Sequence, residues 1–174
     1  INTLTRAKYL AKQGETLFAP PALHYFLYHD VDQLWFRTHN EALQYYEELD
    51  DSDIWSTLKV WMHHSDKILS TLATDMINRN LFKVEVHNDP ISQERINELQ
   101  ASIAQEMQID MADAHYMMSI NTIQKDMYNT SDDSIGILYK DGTIKDIAEA
   151  SELLNVQLLS KKIRKYYLCY QRFS

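Results

Sequence analysis

The spacing of apolar residues predicts helices throughout the first eighty residues of the chain. One short helix is predicted from Leu4 to Ala11, ending before Gly14. Another is predicted over 22–28, directly after Pro20 and Pro21, at which a preceding helix cannot continue. The chain is therefore expected to begin with short helices rather than with strands.

Three further helices are predicted between residues 40 and 80. Asn40 is the expected cap of a helix over 41–49, because its side-chain oxygen accepts hydrogen bonds from free backbone N–H groups. Ser52 or Asp53 is the expected cap of the next helix, and the last one is expected to start at Ser65. The apolar stripes consist of Ile54, Leu58, Trp61 and Met62 in the first of these two and of Ile68, Leu69, Leu72 and Met76 in the second.

Short strands alternate with helices from residue 81 onwards. Strands are predicted over 81–86, 116–123 and 163–170, and Asp141-Gly142 is the predicted turn of a hairpin. Asn88-Asp89-Pro90 ends the first strand and opens a helix, since proline is tolerated at the first helical position. The apolar stripe of that helix consists of Ile91, Ile96, Leu99, Ile103 and Met107.

The order of these elements predicts an α+β fold. A helical region over 1–80 is followed by an α+β region over 81–174, in which a second short helix from Ser151 to Leu154 precedes the last strand. The order in the second region is strand, helix, strand, strand, helix, strand, which is that of a ferredoxin-like domain. The Asp-Gly hairpin is an addition to that order.

Composition limits the classes of protein to which the chain can belong. Apolar residues make up 45% of the 174 residues, which is enough for a packed core, whereas three Gly and three Pro are few for a large β-sandwich. The net charge of −8 opposes general nucleic-acid binding, which uses a basic surface. No apolar run is long enough to cross a membrane, and the single cysteine, Cys169, fits a reducing cytoplasm.

Candidate catalytic and metal-binding residues are few. His29-Asp30, with His24 upstream, has the dipeptide of HD phosphohydrolases, but the two histidines are too close in sequence, which favours a partly buried His29 beside a capping aspartate. A small metal site at these three residues is the alternative. His63-His64 would point about 100° apart on a helix, so we expect solvated imidazoles there. Cys169 is expected in the core, and no catalytic, cofactor-binding or metal-binding residue is predicted in this chain.

Two groups of basic residues could contact a phosphate. Arg79 ends a predicted helix and Lys83 lies in the strand that starts there, so a guanidinium and an ammonium would converge at this junction. The alternative is that both simply complement the dipole of the helix C-terminus. The second group lies at the start of the last strand and directly before it. The ordinary interpretation is a strand edge protected by charge, and the more specific one is a contact with a nucleotide or a protein. This group consists of Lys161, Lys162, Arg164 and Lys165.

Several segments resemble the region that follows the catalytic core in HD-superfamily phosphohydrolases. The resemblance extends over most of the chain. Its most specific part, Arg79-Asn80-Leu81-Phe82-Lys83, also resembles the dNTP triphosphohydrolases that join a sterile alpha motif to an HD domain. The other segments are Asp50-Asp51-Ser52-Asp53-Ile54-Trp55, Trp61 with Ser65-Asp66-Lys67, Ile137-Leu138-Tyr139-Lys140-Asp141-Gly142 and Tyr166-Tyr167-Leu168-Cys169-Tyr170.

This resemblance implies a function that composition alone does not. The parent protein would be a nucleotide phosphohydrolase whose catalytic histidines and aspartates, with their divalent metal, lie upstream of Ile1, so the 1–80 region would continue from an HD core. In the dNTP triphosphohydrolases that join a sterile alpha motif to an HD domain, an arginine and a lysine at the positions of Arg79 and Lys83 contact the phosphates of an activating nucleotide at an oligomer interface. The expected partners are therefore the chain's own HD core, further copies of the protein in a homo-oligomer, and a nucleotide effector.

The chain departs from the family directly after the matched segment. Val84-Glu85-Val86 follows Lys83, where the dNTP triphosphohydrolases with the matched segment have a glycine. The competing hypothesis is a stand-alone ferredoxin-like module that binds other proteins and has no role in nucleotide recognition.

Overall fold

The computed structural model describes residues 1–125, 136–146 and 163–172. The described residues fall into two compact units. The first contains Ile1–Lys83, Gln93–Ser119 and the stretch that begins at Cys169, and the second contains the described residues of Val84–Ser92 and Ile120–Leu168. Compactness alone does not establish which segment folds independently, so the predicted domain boundary at residue 80 stays a prediction.

The first unit is helical, as the spacing of its apolar residues predicted. Pro21 is the first residue of the second helix, a position at which proline costs no hydrogen bond. The helices are α1 (Asn2–Lys12), α2 (Pro21–Tyr28), α3 (Gln33–Thr38), α4 (Asn40–Glu48), α5 (Asp51–Trp61), α6 (Lys67–Asn78) and α7 (Gln93–Met107), and a 3-10 helix spans Met111–Met117.

The caps of α5 and α6 differ from those predicted, because an aspartate one to three residues away occupies the cap position. Asn40, the predicted cap of α4, is instead the first residue of that helix, which has no side-chain cap. Asp50 caps α5: its carboxylate accepts hydrogen bonds from the backbone N–H of Ser52 at 2.7 Å and of Asp53 at 3.2 Å, and Asp53 accepts one from Asp50 in return. Asp66, rather than Ser65, caps α6 by accepting from the backbone N–H of Leu69 at 2.7 Å.

The hydrophobic core of the first unit is built from α1, α2, α5 and α6. Trp61 is almost completely buried, and its indole N–H donates to the carbonyl of Phe18 at 3.0 Å. Met76, which was predicted to share the buried stripe of α6, is 47% exposed. The core cluster consists of Ala7, Leu10, Ala11, Leu17, Leu23, Leu27, Leu58, Trp61, Leu69 and Ala73.

Helix α3 was not predicted. It has six residues and none of them is buried, so it has no apolar stripe that a periodicity could reveal. Its start is set locally by Asp32, whose carboxylate accepts from the backbone N–H of Trp35 at 2.7 Å.

Five strands follow the order that the sequence predicted. A three-stranded sheet has the order β1-β5-β2, and β3 pairs with β4 in a separate antiparallel hairpin, in which Leu138 lies opposite Ile144. Gly142 in the hairpin turn has φ 84°, which is the conformation that the Asp-Gly pair favours. The strands are β1 (Lys83–His87), β2 (Met118–Lys125), β3 (Gly136–Leu138), β4 (Ile144–Asp146) and β5 (Ile163–Tyr170).

The α+β class is confirmed, and the strand pairing adds a difference from the ferredoxin-like arrangement. In the described part of the chain, β5 lies between β1 and β2, whereas the hairpin forms its own ladder instead of joining them. The predicted helix from Ser151 to Leu154 lies outside the described residues. Across the described ranges, the helices are all too short or too polar to cross a bilayer.

Candidate functional site

Helix α6 ends in a tight left-handed turn at Arg79. This residue has φ 58° and ψ 34°, a region that glycine or asparagine normally occupies because a Cβ atom is disfavoured there. The backbone N–H of Arg79 donates to Met76 at 3.4 Å, and that of Asn80 donates to the carbonyl of Asp75 at 2.8 Å. These two bonds form a Schellman motif with an arginine at its left-handed position.

A second contact links the two ends of this turn. The amide Nδ2 of Asn80 donates to Oδ1 of Asp75 at 3.2 Å. The Asp75 residue is only 9% exposed, and its Oδ2 atom has no hydrogen-bond partner among the described residues. Burying a carboxylate oxygen in this way is unfavourable, so folding stability does not explain why an aspartate stands at this position.

Lys83 begins the strand that follows this turn. Its side chain is exposed, and its ammonium nitrogen lies 5.3 Å from the centre of the Tyr170 ring. That distance is within the range of a cation–π interaction. Tyr170 is itself buried in β5, so the ring offers a fixed face to the ammonium group.

The structure thus places both predicted phosphate-contacting residues at one helix-to-strand junction. Arg79 closes α6, as the sequence predicted, and Lys83 opens β1, two residues after the predicted start of that strand at Leu81. Both residues belong to the first compact unit. Their contact with a phosphate stays a prediction, whereas the positive charges and the short connection between them are features of the structure.

A buried ion-pair cluster lies elsewhere in the first unit, and sequence reasoning missed it. The Arg6 guanidinium donates to Asp66 at 2.6 Å and to Asp113 at 3.0 Å, and it lies over the rings of Tyr9 and Tyr116. The cluster borders a cleft of about 360 Å³ that the side chains of Lys67, Gln108 and Asp110 also line. Its members are 60 and 107 residues apart in sequence, so no local motif could have indicated it.

The charges in this cluster shift each other's ionisation. Burial alone would raise the pKa of Asp66, but hydrogen bonds from Arg6 and from the backbone N–H of Leu69 outweigh it and hold that pKa below its usual range. Burial opposes the charged form of Arg6, and the hydrogen bond to Asp66 overcomes this effect and raises the pKa of the guanidinium. Because the carboxylates already occupy the guanidinium, we interpret Arg6 as structural rather than as a phosphate contact.

His64 extends this network, which corrects the prediction of a solvated imidazole. Its Nδ1 accepts a hydrogen bond from the backbone N–H of Asp66 at 3.0 Å, and its Nε2 lies 3.3 Å from the carboxylate of Glu15. The neutral tautomer with its proton on Nε2 satisfies both contacts. His63, by contrast, is exposed, as predicted.

The His29-Asp30 dipeptide has a structural role. His29 stacks on the ring of Tyr25 with their centres 4.5 Å apart, and Asp30 pairs with Lys12 at 2.8 Å and Lys8 at 3.3 Å. Hydrogen bonds from these two lysines lower the pKa of Asp30. His24 stacks on Tyr28 instead of turning towards His29. Groups of three or more histidine, cysteine or acidic residues that could hold a metal ion are absent from the described ranges.

The remaining candidates lie in or near the last strand. Lys165 donates to Asn88, and Arg164 is exposed, whereas Lys161 and Lys162 lie outside the described residues. Cys169 is half-buried, although the sequence predicted a core position. The reason is its place in β5, where buried Leu168 and Tyr170 flank it and point to the opposite face.

Comparison with solved structures finds a phosphohydrolase that matches nearly the whole chain. No family model matches the chain, and no curated protein matches it either. The crystal structure of a phosphohydrolase from Bacteroides thetaiotaomicron is 56% identical in sequence, with a TM-score of 0.93. The match covers 98% of this chain and 42% of that one, so the chain spans less than half of the phosphohydrolase. The chain is therefore related to a bacterial phosphohydrolase along nearly its whole length.

Proposed function

We propose that this chain is the non-catalytic regulatory and assembly region of an HD-type nucleotide phosphohydrolase that resembles the dNTP triphosphohydrolases. The observation that supports the proposal most is the match of 98% of the chain to only 42% of a phosphohydrolase. More than half of such a protein lies outside this region, and that part would carry out the reaction. The divalent metal ion would be bound there, in an HD core that is the natural partner of this chain.

Arg79 and Lys83 would contact the phosphates of a nucleotide effector. A guanidinium matches two phosphate oxygens at once, and an ammonium adds a compact positive charge beside it. The exposed left-handed arginine supports this role, because a non-glycine residue in that conformation is unfavourable for folding. The chain as a whole carries a net charge of −8, so local cations are needed to attract a triphosphate.

Titration calorimetry with dGTP and dATP tests this role directly. Replacing either cation by alanine should weaken binding by roughly 1.5–3 kcal/mol, which is about ten- to 150-fold. The matched controls are Arg37→Ala and Lys59→Ala, which remove exposed cations from the last turns of α3 and α5 and should leave the affinity unchanged.

Two results would contradict the proposal. One is equal binding of the wild type, Arg79→Ala and Lys83→Ala; the other is no binding by a longer protein that includes the upstream part. In the second case the competing interpretation, a protein-interaction module without a nucleotide role, would gain support.

Assembly is the second part of the proposal. If a nucleotide bridges copies at the junction of α6 and β1, adding dGTP to the longer protein should increase its mass in sedimentation experiments. Arg79→Ala should abolish this increase, whereas Arg37→Ala should preserve it. An increase that persists in Arg79→Ala would assign assembly to another surface.

A further inference from the structure

We infer that Asn80 and Tyr170 are positioning residues that hold Arg79 and Lys83 in place before a nucleotide binds. This inference rests on the proposed function, since it concerns the same two cations. Neither Asn80 nor Tyr170 would touch the nucleotide itself. Each would act through the cation beside it.

Asn80 acts on Arg79 through the end of helix α6. Its side-chain bond to Asp75 at 3.2 Å and its backbone bond to the same residue at 2.8 Å close the left-handed turn around Arg79. Arginine does not favour this conformation by itself. The double connection between Asn80 and Asp75 therefore fixes the direction in which the guanidinium leaves the backbone.

Asp75 fits the same interpretation. One of its oxygens holds Asn80, while the other is buried without a partner among the described residues. A leucine or alanine would be the favourable residue on a buried helix face. An aspartate here makes the folded state less stable, but its carboxylate can accept a hydrogen bond from the side-chain amide of Asn80.

Tyr170 acts on Lys83 by offering its ring face at 5.3 Å from the ammonium nitrogen. A lysine side chain has four rotatable bonds, and restraining them before binding lowers the entropy lost when the phosphate is captured. A cation–π contact orients the ammonium group while leaving it charged. The buried position of Tyr170 makes the ring a rigid support.

Nucleotide titration of single and double variants tests the inference. Asn80→Ala should weaken dGTP binding about two- to tenfold, the usual range for one lost hydrogen bond. Tyr170→Leu should weaken it about two- to fivefold, as expected for an exposed cation–π contact. Tyr170→Phe keeps the ring face and should stay within about twofold of the wild type. The matched control is Asn78→Ala, which changes an exposed asparagine directly before Arg79.

The double variants separate positioning from general structural damage. On an Arg79→Ala background, Asn80→Ala should cause no further loss, and on a Lys83→Ala background Tyr170→Leu should cause none. Additive losses would overturn the inference while the proposed function stands. Unchanged binding in both cation variants would instead overturn the proposed function.

A measurement without nucleotide keeps the inference testable in either case. The side-chain protons of Lys83 should show an upfield NMR shift from the Tyr170 ring, which Tyr170→Phe retains and Tyr170→Leu removes. Likewise, Asn80→Ala should increase hydrogen exchange at the backbone amides of Arg79 and Asn80. Unshifted Lys83 protons in the wild type, or unchanged exchange in Asn80→Ala, would show that the cations are not held in advance.

Discussion

Some single residues of this chain are unfavourable for folding but suited to the proposed binding of a nucleotide. Arg79 adopts a left-handed conformation that glycine would favour, and Asp75 buries an oxygen without a partner among the described residues. Both lie at the junction between α6 and β1. Unfavourable residues that cluster at one place are a common mark of functional sites.

Replacing Arg79 by glycine should therefore make the protein more stable while weakening nucleotide binding. Removing the Cβ atom relieves a strain of about 1 kcal/mol in the left-handed region. Urea unfolding of Arg79→Gly and Arg79→Ala would measure the effect, and only the glycine variant should gain stability because alanine keeps the Cβ atom. A loss of stability in Arg79→Gly would mean that the arginine side chain itself stabilises the fold.

The buried ion pairs of Arg6 make a second prediction at this scale. Arg6→Ala would remove a buried guanidinium and leave Asp66, whose side chain is 14% exposed, without its counter-charge, so the free energy of unfolding should fall by about 3–5 kcal/mol. Chemical denaturation would measure this change. Lys12→Ala, which removes an exposed ion pair with Asp30, should have little effect. A similarly small effect of Arg6→Ala would show that the cluster does not stabilise the fold.

Acid stability depends on the same cluster. The pKa of Asp66 is lowered in the folded protein from an ordinary value of 3.8. Its ionised form therefore stabilises the fold above that ordinary value, and this contribution is lost as the pH falls through the lower, folded pKa. We expect the urea midpoint of the wild type to fall below about pH 4 and that of Asp66→Asn to depend less on pH. Parallel pH profiles for the two proteins would contradict this explanation.

At the scale of elements, turn residues and residue patterns within one segment predicted the strands correctly, whereas contacts between distant segments could not be predicted. The Asp-Gly pair predicted the hairpin, and the run of aromatic and basic residues from Ile163 to Tyr170 predicted β5 at its observed bounds. Helix α3 was not predicted because it has no buried face. The caps of α5 and α6 were assigned to the wrong residues because several neighbouring aspartates and serines could each cap the helix. The Arg6 cluster could not be found at all, since only the folded chain brings its members together.

Packing within helix α5 makes one more prediction. Thr57 is completely buried, and its hydroxyl oxygen has no hydrogen-bond partner in the described part of the chain. Thr57→Val replaces this hydroxyl by a methyl group of similar size and should stabilise the protein by about 1 kcal/mol. Thermal unfolding would measure the gain, with Thr57→Ser as the comparison that keeps the hydroxyl. Destabilisation by valine would reveal an unseen partner, such as a buried water molecule.

At the scale of the whole molecule, the chain consists of two compact units and is related to a bacterial phosphohydrolase. The match extends over both units, because it covers 98% of the chain. The proposed nucleotide contacts lie in the first unit. A ligand that binds only the folded state stabilises it by about 2.7 kcal/mol when its concentration is a hundred times its dissociation constant. We therefore expect dGTP, if it binds as proposed, to raise the melting temperature of the protein.

The position of the tryptophans has a practical consequence for spectroscopy. All three tryptophans of the chain, Trp35, Trp55 and Trp61, lie within the first unit, and Trp61 is buried in its core. Intrinsic tryptophan emission therefore reports on the unfolding of that unit alone, whereas far-ultraviolet circular dichroism averages over the helices and strands of both. Coincident transitions by the two probes would mean that the units unfold cooperatively, and separate transitions would resolve their individual stabilities.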